Sequence, residues 1–246
     1  MTAKIFNVYD LPIANNICEQ DLREVLSLSN VSITHVTMAV NSVSLLHEHH
    51  KMTEVYIITR GIGILTHGSS SYEISRTASL SIPPRTPHKL KNIGCYPLEH
   101  LVLAAPPFMP YDVNLIDDSD FTASAPLPLP SQKQSVQALD GTFLYELLSN
   151  DERINIGFSL AIGILPVCRK ARSHYHKISE EVYYVVDGTG TVSLGNEQAS
   201  IKKGSVIHIP PSTAHALENT GGVPLEILCL SSPAYKDDDF FLRCQE

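Results

Sequence analysis

The chain is a tandem repeat, and this feature limits its possible folds more than any other. From His47 to Pro106, residues of the first half match residues of the second half at one constant spacing of 127 positions, without a gap. The matched pairs include His47 and His174, His49 and His176, Glu54 and Glu181, Gly61 and Gly188, Pro83 and Pro210, His88 and His215, and Asn92 and Asn219. Self-similarity at a fixed period is the signature of a repeated structural unit. We therefore expect two copies of one small domain.

A proline-containing segment separates the two copies. It includes Ala125-Pro126-Leu127-Pro128-Leu129-Pro130-Ser131, and alternating proline favours an extended, semi-rigid connector over a helix or a sheet strand. The sequence predicts an N-terminal domain at residues 1–118, a linker at 119–141 and a C-terminal domain at 142–246. We expect the linker to run along the surface.

Short strands dominate each copy, so the sequence predicts an all-β fold. Residues 31–38 alternate between polar and apolar, and residues 181–186 are β-branched and aromatic. Glycine and proline turns recur at intervals of about ten residues, as in a sandwich or barrel. Residues 16–27 could start as a helix, but residues 23–27 fit an edge strand equally well. The repeated Gly61-x-Gly63 predicts a hairpin turn and not a nucleotide loop, because it opens no helix.

Four residues in each copy have the types and spacing of metal ligands. Side chains two apart on a strand leave the same face, with roots about 6–7 Å apart, so His47 and His49 can converge on one ion. Glu54 follows closely enough for a tight turn to return it on the neighbouring strand, and His88 follows a Pro-Pro turn. The second copy repeats every interval with His174, His176, Glu181 and His215.

The charge of each glutamate favours the same interpretation. A carboxylate inside an apolar barrel costs several kcal/mol unless it is paired, and neutral histidines do not neutralise it. A divalent cation would satisfy all four groups. Mixed nitrogen and oxygen ligands suit Fe, Mn, Ni, Co or Zn without choosing among them. We predict one such divalent transition metal per barrel.

Both copies carry the two signature motifs of a known family. The chain resembles the cupin superfamily in its HxH-x4-Glu-x6-Gly motif, which ends at Gly61 and Gly188, and in its Pro-x4-His-x3-Asn motif, which ends at Asn92 and Asn219. The resemblance implies a bicupin metalloprotein with tandem double-stranded β-helix (jelly-roll) barrels. Glycines of the family motifs are replaced here by Asn41, Thr77, Arg85, Cys168 and Ser212.

Other residues are candidates for the lining of each cavity. Strand alternation places Tyr56 and Tyr183 on the faces of the glutamates, as candidate catalytic proton carriers. It also places Asn92 and Asn219 on the same strand faces as His88 and His215. There, each amide would be a polar, hydrogen-bonding group in an otherwise apolar cavity. The histidines at 35, 67 and 100 have no counterpart histidine in the other half, which argues against a role shared by both copies. Asp237–Asp239 is expected to be a solvated end.

Composition excludes several classes of partner and location. The formal net charge of −8 disfavours nucleic acid. No apolar run approaches the roughly 20 residues of a membrane-spanning helix. The first residues lack the long apolar core of a secretory signal, so we expect a protein that is not secreted. Five cysteines without a CxxC pair argue against a disulfide framework and fit a reducing cytoplasm. The resemblance also leads us to expect a homodimer.

Two functional interpretations follow. The first is an enzyme acting on a small chelating molecule, because four protein ligands leave an octahedral ion two positions for water, dioxygen or substrate. Resemblance to bicupins favours a dioxygenase-type oxidoreductase acting on an enol, keto or hydroxy compound. The alternative enzyme is a metal-dependent isomerase of a keto or sugar-like compound. Decarboxylation like that of oxalate-degrading bicupins is disfavoured, because the sequence shows no acidic loop that would donate a proton. The second interpretation is a non-catalytic small-ligand-binding cupin.

Overall fold

The structure is a computed structural model that describes residues 2–16, 20–128, 136–148 and 156–243. Cys18, Cys244 and the linker residues 129–135 lie outside the described residues. Strands are numbered β1 to β23 in chain order, and short 3-10 helices lie at Val8–Asp10, Pro110–Asp112, Asp118–Asp120 and Asp237–Asp239. Among the described residues, no helix has the length and apolar character needed to cross a bilayer.

The chain divides into two compact units, which we call the first and second barrels. The first barrel is Leu11–Ser131, and the second is Gln132–Glu246 together with Met1–Asp10. Residues 1–10 therefore belong to the second barrel, although the sequence predicted an N-terminal domain of residues 1–118. The physical reason is strand pairing, because β1 (Lys4–Asn7) is hydrogen-bonded antiparallel to Ser205–Ile209 of the second barrel.

The first barrel consists of two facing sheets. Its strands are β2 (Asp21–Ser27), β3 (Ser32–Met38), β4 (His47–His49), β5 (Thr53–Arg60), β6 (Ile62–His67), β7 (Ser70–Ser75), β8 (Ser79–Ile82), β9 (His88–Asn92), β10 (Leu98–Ala105), β11 (Val113–Leu115) and β12 (Pro126–Pro128). One sheet has the order β2-β3-β10-β5-β8 and the other β11-β4-β9-β6-β7-β12. Apolar residues from both sheets, including Tyr56, Ile58, Leu65 and Leu90, form its core.

The second barrel repeats this arrangement. Its remaining strands are β13 (Val136–Gln137), β14 (Phe143–Glu146), β15 (Ser159–Leu165), β16 (His174–Tyr175), β17 (Glu180–Asp187), β18 (Thr189–Leu194), β19 (Glu197–Lys202), β20 (Ser205–Ile209), β21 (His215–Asn219), β22 (Leu225–Ser232) and β23 (Phe241–Leu242). The sheets have the orders β1-β20-β17-β22-β15-β14-β13 and β19-β18-β21-β16-β23. The predicted all-β, double-barrel fold is therefore confirmed.

The Gly61-x-Gly63 segment is not the hairpin turn that the sequence predicted. β5 and β6 belong to different sheets, so the chain crosses from one sheet to the other at Gly61, which has a φ of 90°. A Cβ atom on Gly63 would lie 2.7 Å from Leu98 Cδ1 and 2.9 Å from Leu90 Cδ1. These glycines allow the crossing and the close packing behind it.

Two segments that the sequence did not assign firmly to strands lie at sheet edges as strands. Asp21–Ser27 pairs with β3 at the end of its sheet, so the edge-strand alternative for residues 23–27 is confirmed, and the strand begins two residues earlier. Pro126–Pro128 pairs in parallel with β7, although the sequence favoured a connector outside the sheets. An edge position tolerates proline because one side of the strand needs no hydrogen-bond donor.

The residues that replace the motif glycines keep a glycine-like backbone. Asn41, Thr77, Arg85, Cys168 and Ser212 all have φ between 59° and 71°. A side chain in this left-handed region costs roughly 1–2 kcal/mol. The fold thus retains the loop geometry of its motifs and accepts local strain at these five positions.

Cys168→Gly should therefore stabilise the protein. Removing the Cβ relieves left-handed strain by about 1 kcal/mol, which would raise the midpoint of thermal unfolding by roughly 2–4 °C for a chain of this size. Cys95→Gly is the matched control, because Cys95 is also an exposed free cysteine but is not among the positive-φ residues. Calorimetry showing no gain for Cys168→Gly over Cys95→Gly would contradict the strain argument.

Candidate metal centres

The first barrel brings its four predicted ligands together. His47 and His49 lie on β4, and His47 faces His88 on the adjacent strand β9 with ring centroids 4.2 Å apart. Glu54 comes from β5 in the facing sheet, not from a neighbouring strand of the same sheet as the sequence suggested. Its Oε2 lies 3.0 Å from His88 Nε2 and 3.2 Å from His49 Nε2. All four residues are buried.

The second barrel builds the same cluster. His174 on β16 faces His215 on β21, with ring centroids 4.2 Å apart. Glu181 on β17 places its Oε2 2.9 Å from His215 Nε2 and 3.5 Å from His176 Nε2. Within each cluster the four candidate ligand atoms lie within 4.8 Å of one another.

Backbone carbonyls hold most of the rings with Nε2 free for a ligand. A carbonyl oxygen only accepts a hydrogen bond, so each bonded Nδ1 carries a proton, and Nε2 is the nitrogen that faces the cluster and would give its lone pair to an ion. The Nδ1 contacts are His47 to Leu45 O at 2.9 Å, His88 to Thr86 O at 2.9 Å, His174 to Arg172 O at 3.2 Å, His176 to Asp239 O at 2.9 Å and His215 to Thr213 O at 2.9 Å. This tautomer is the one that metal-binding histidines use.

The carboxylates are held in the ionised form. Burial by itself raises the pKa of Glu54, but hydrogen bonds with His49 and His88 outweigh it and bring the pKa well below its usual range. In the second barrel burial likewise raises the pKa of Glu181, while His215 lowers it to about 2. Each cluster thus contains a buried anion that needs a positive partner.

Two of the histidines are held neutral. Burial, assisted by His88, lowers the pKa of His47 to about 4, and burial with His215 does the same for His174. Neutral imidazole nitrogens and one carboxylate oxygen form a donor set that suits a divalent transition metal. The residues present therefore fit the ion that the sequence predicted.

Asp239 has a role that the sequence reasoning missed. It is buried, not part of a solvated end, and its carboxylate accepts hydrogen bonds from the backbone of Lys177, Ile178 and Ser179 at 2.9–3.0 Å. Asp112 holds the equivalent loop of the first barrel through Met52 N at 3.0 Å. Both loops join the HxH strand to the glutamate strand, so each aspartate positions both parts of a cluster. The signal was available, because the two aspartates obey the repeat spacing.

The two candidate catalytic tyrosines lie beside the clusters. The Tyr183 hydroxyl is 3.1 Å from Glu181 Oε2 and 3.0 Å from His215 Nε2. Burial and then the charge of Glu181 raise the pKa of Tyr183 well above its usual value, so its hydroxyl keeps its proton. The ring of Tyr56 is edge-on to His88, with centroids 5.8 Å apart.

Asn92 and Asn219 are structural and do not provide the polar cavity groups that the sequence suggested. Asn92 Nδ2 donates to the carbonyls of Met38, Ala39 and Tyr96 at 2.9–3.2 Å. Asn219 Nδ2 donates to Leu165 O and Val223 O, both at 2.9 Å. These amides tie loops to the barrels and therefore have no donor left for a ligand.

The second cluster has surroundings that the first lacks. Ser231 Oγ donates to Glu181 Oε1 at 3.1 Å, and the repeat places Ala104 at this position in the first barrel. Phe240 stacks on His174 with centroids 4.5 Å apart, whereas its repeat equivalent is Val113. Spacing alone could not reveal these contacts, because they depend on strand register and on the path of the C-terminal segment.

Fold and donor sets together define a two-domain, metal-binding β-barrel protein. The cupin domain family matches residues 34–103 and 163–231, which is more than half of the chain. The chain belongs to the cupin family, and its two matched segments make it a bicupin.

Comparisons with individual proteins extend this assignment. An uncharacterized protein of Methanocaldococcus jannaschii is 46% identical over 100 residues, which are 41% of this chain and 80% of that protein. A mannose-1-phosphate guanylyltransferase of Salmonella typhimurium is 33% identical over 76 residues, which are 31% of this chain but only 15% of that enzyme.

Solved structures of similar fold cover nearly the whole chain. The oxalate decarboxylase of Lactobacillus farciminis in complex with formate has a TM-score of 0.71 and 18% identity, covering 94% of this chain and 87% of the other. Oxalate decarboxylase from Bacillus subtilis has a TM-score of 0.70 and 15% identity, covering 94% and 77%. At these identities the likeness concerns the fold.

Removing one histidine from either cluster should remove one metal ion. His47→Ala and His174→Ala should each lower the metal content of the purified protein by about half, because each barrel loses a ligand that nothing else replaces. Plasma mass spectrometry measures the content, and His50→Ala is the control because His50 is exposed next to the first cluster. Full metal content in either ligand variant would refute the assignment for that barrel.

Proposed function

We propose that this bicupin is a metal-dependent enzyme that moves a proton on a small keto, enol or hydroxy compound bound to the metal through two oxygen atoms. The observation that carries the proposal is the Tyr183 hydroxyl, which lies 3.1 Å from Glu181 Oε2 and 3.0 Å from His215 Nε2. A protonated hydroxyl this close to a ligand cluster is within reach of a substrate bound there. Reactions of this type are isomerisations and lyase reactions.

The chain's own residues provide three contributions. Tyr183 holds a proton that it can deliver to, or recover from, a substrate carbon or oxygen. Glu181 and the three histidines of the second cluster would hold the ion, which polarises a bound carbonyl or hydroxyl and stabilises negative charge on oxygen. Val185, Ile207 and their apolar neighbours keep water out, so that the charged groups interact more strongly than in water.

The comparisons support a small oxygen-rich substrate but do not name it. The structures of similar fold act on oxalate, a small molecule with adjacent oxygen donors, and one sequence relative handles mannose 1-phosphate. Fold likeness alone does not transfer an activity. We therefore infer a substrate that chelates the ion and exchanges a proton, whatever its carbon skeleton.

A dioxygenase-type reaction is the second candidate. It is favoured by the count of protein ligands, because three histidines and one glutamate leave an octahedral ion two positions, enough for dioxygen and one substrate atom. The two candidates differ in one measurable requirement, namely dioxygen. Oxygen uptake that matches substrate loss would replace the proton-transfer proposal with the oxygenase.

Proton transfer should be detectable without knowledge of the final product. The metal-loaded protein is incubated under nitrogen in D2O with a panel of small α-hydroxy ketones and 2-oxo acids, and NMR follows deuterium uptake at the carbon beside the carbonyl. In a His47→Ala background, which removes the ion of the first barrel, Tyr183→Phe should retain the metal of the second barrel but exchange deuterium at least about 10²-fold more slowly, because it lacks the proton carrier. Tyr175→Phe is the control, since Tyr175 lies on β16 and stacks on Phe241.

Three results of this experiment are decisive. Metal-dependent exchange that Tyr183→Phe abolishes supports the proposal. Exchange that Tyr183→Phe leaves unchanged would remove Tyr183 from the mechanism. Tight metal-dependent binding of the panel with neither exchange nor oxygen uptake would favour the non-catalytic binding protein.

A further inference from the structure

The interiors of the two barrels differ at three equivalent positions. The repeat spacing pairs His67 with Leu194, Tyr72 with Ala199, and His100 with Ile227. In the second barrel Ile227 belongs to the buried core, and Leu194 and Ala199 pack against it. The first barrel therefore has three side chains with hydrogen-bonding groups where the second has hydrocarbon.

His67 lies beside the first ligand cluster. On strand β6 it is directly opposite His88 of β9, so the two side chains share one face. Its ring is hydrogen-bonded to the backbone of Ser81. Its Nε2 is buried and finds no hydrogen-bond partner among the described residues.

His100 lies deeper in the same barrel. It is opposite Ile58 on β5 and Val36 on β3, and both of these residues belong to the core. Its ring centroid is 5.1 Å from that of Tyr56. The side chain is 3% exposed, and its Nδ1 also lacks a partner within the part of the chain that the structure describes.

These two imidazoles are poor choices for stability alone. A buried polar atom without a partner destabilises the folded state, whereas an apolar residue of similar shape does not. The second barrel shows that this fold accepts leucine and isoleucine at both positions. The histidines thus cost the first barrel stability that a bound ligand would recover.

The chemistry of the imidazoles indicates the type of ligand. Burial lowers the pKa of His100 to about 3, so its ring is neutral at physiological pH. A neutral imidazole has one donor and one acceptor, and a hydroxyl group can serve both. A hydroxyl group can donate to the ring or accept from it, whichever nitrogen carries the proton, whereas a phosphate or carboxylate oxygen only accepts and finds no opposite charge on a neutral ring.

We propose that the first barrel binds a substrate with hydroxyl groups beyond the two chelating oxygen atoms, and that His67 and His100 select for those hydroxyl groups. The second barrel would instead bind a less hydroxylated molecule. This inference rests on the metal-chelating substrate of the proposed function, but not on the reaction that follows.

A pair of four-carbon acids tests the selection. Erythronate and 2-hydroxybutyrate present the same chelating α-hydroxy acid, and erythronate has two further hydroxyl groups. Calorimetric titration of the metal-loaded full chain should show one site that prefers erythronate by at least about tenfold, the effect of one good hydrogen bond to a buried group. The double variant His67→Leu/His100→Ile copies the second barrel, and its preference should fall to within about twofold.

Controls separate selection from damage to the barrel. The double variant should keep the wild-type metal content, the wild-type affinity for 2-hydroxybutyrate and an unfolding temperature, without ligand, that is no lower. The reciprocal variant Leu194→His/Ile227→His should keep the erythronate preference of the first barrel. An equal loss of affinity for both acids, or a lower unfolding temperature, would assign the histidines a structural role and overturn the inference.

The outcomes also separate this inference from the proposed function. Selective binding of erythronate without deuterium exchange on any substrate would refute the enzyme but retain the selection by His67 and His100. Exchange together with equal binding of both acids would refute the selection and retain the enzyme. Failure of the wild-type chain to bind either acid would overturn the selection as well.

Discussion

The buried carboxylate of each barrel is the constraint on which the rest of the structure depends. An ionised carboxylate loses several kcal/mol of hydration when it enters an apolar interior, and the low pKa values of Glu54 and Glu181 mean that neither escapes this loss by taking a proton. Hydrogen bonds from neighbouring rings recover only part of it. His47 and His174 are held neutral, whereas contact with Glu181 outweighs burial and raises the pKa of His215. A divalent cation would neutralise the carboxylate of each cluster and satisfy all three rings at once.

Each ligand cluster spans the two sheets of its barrel. The histidines of a cluster come from adjacent strands of one sheet, and the glutamate comes from the sheet that faces it. A bound ion would therefore link the two layers of a barrel. The crossing at Gly61 and the loop held by Asp112 fix how the layers face each other near the first cluster. Stability and site geometry thus depend on the same few contacts.

The repeat and the ligand sets could be predicted from the sequence, because both consist of particular residue types that recur at a constant spacing. Sheet membership could not. A glycine after a strand is equally compatible with a hairpin and with a crossing, and only the pairing of β6 with β9 decides between them. Strand register also decides three other contacts. These are the hydrogen bonds of Asn92 to loop carbonyls, the pairing of β1 with the second barrel, and the contact of Ser231 with Glu181. Such contacts join residues far apart in the chain and leave no local pattern.

Duplication gives each barrel the same ligands, so differences between the barrels must come from residues that touch the ligands or line the interior. In the second barrel Ser231 donates to Glu181 and Phe240 stacks on His174, whereas the first barrel has alanine and valine at these positions. In the first barrel the interior carries imidazoles that nothing in the described chain fully satisfies. An apolar interior suits a small molecule with few polar groups, whereas spare hydrogen-bonding groups suit a more polar one. In the proposed selection, two copies of one ligand cluster would thus differ in preference without any change in the ligands themselves.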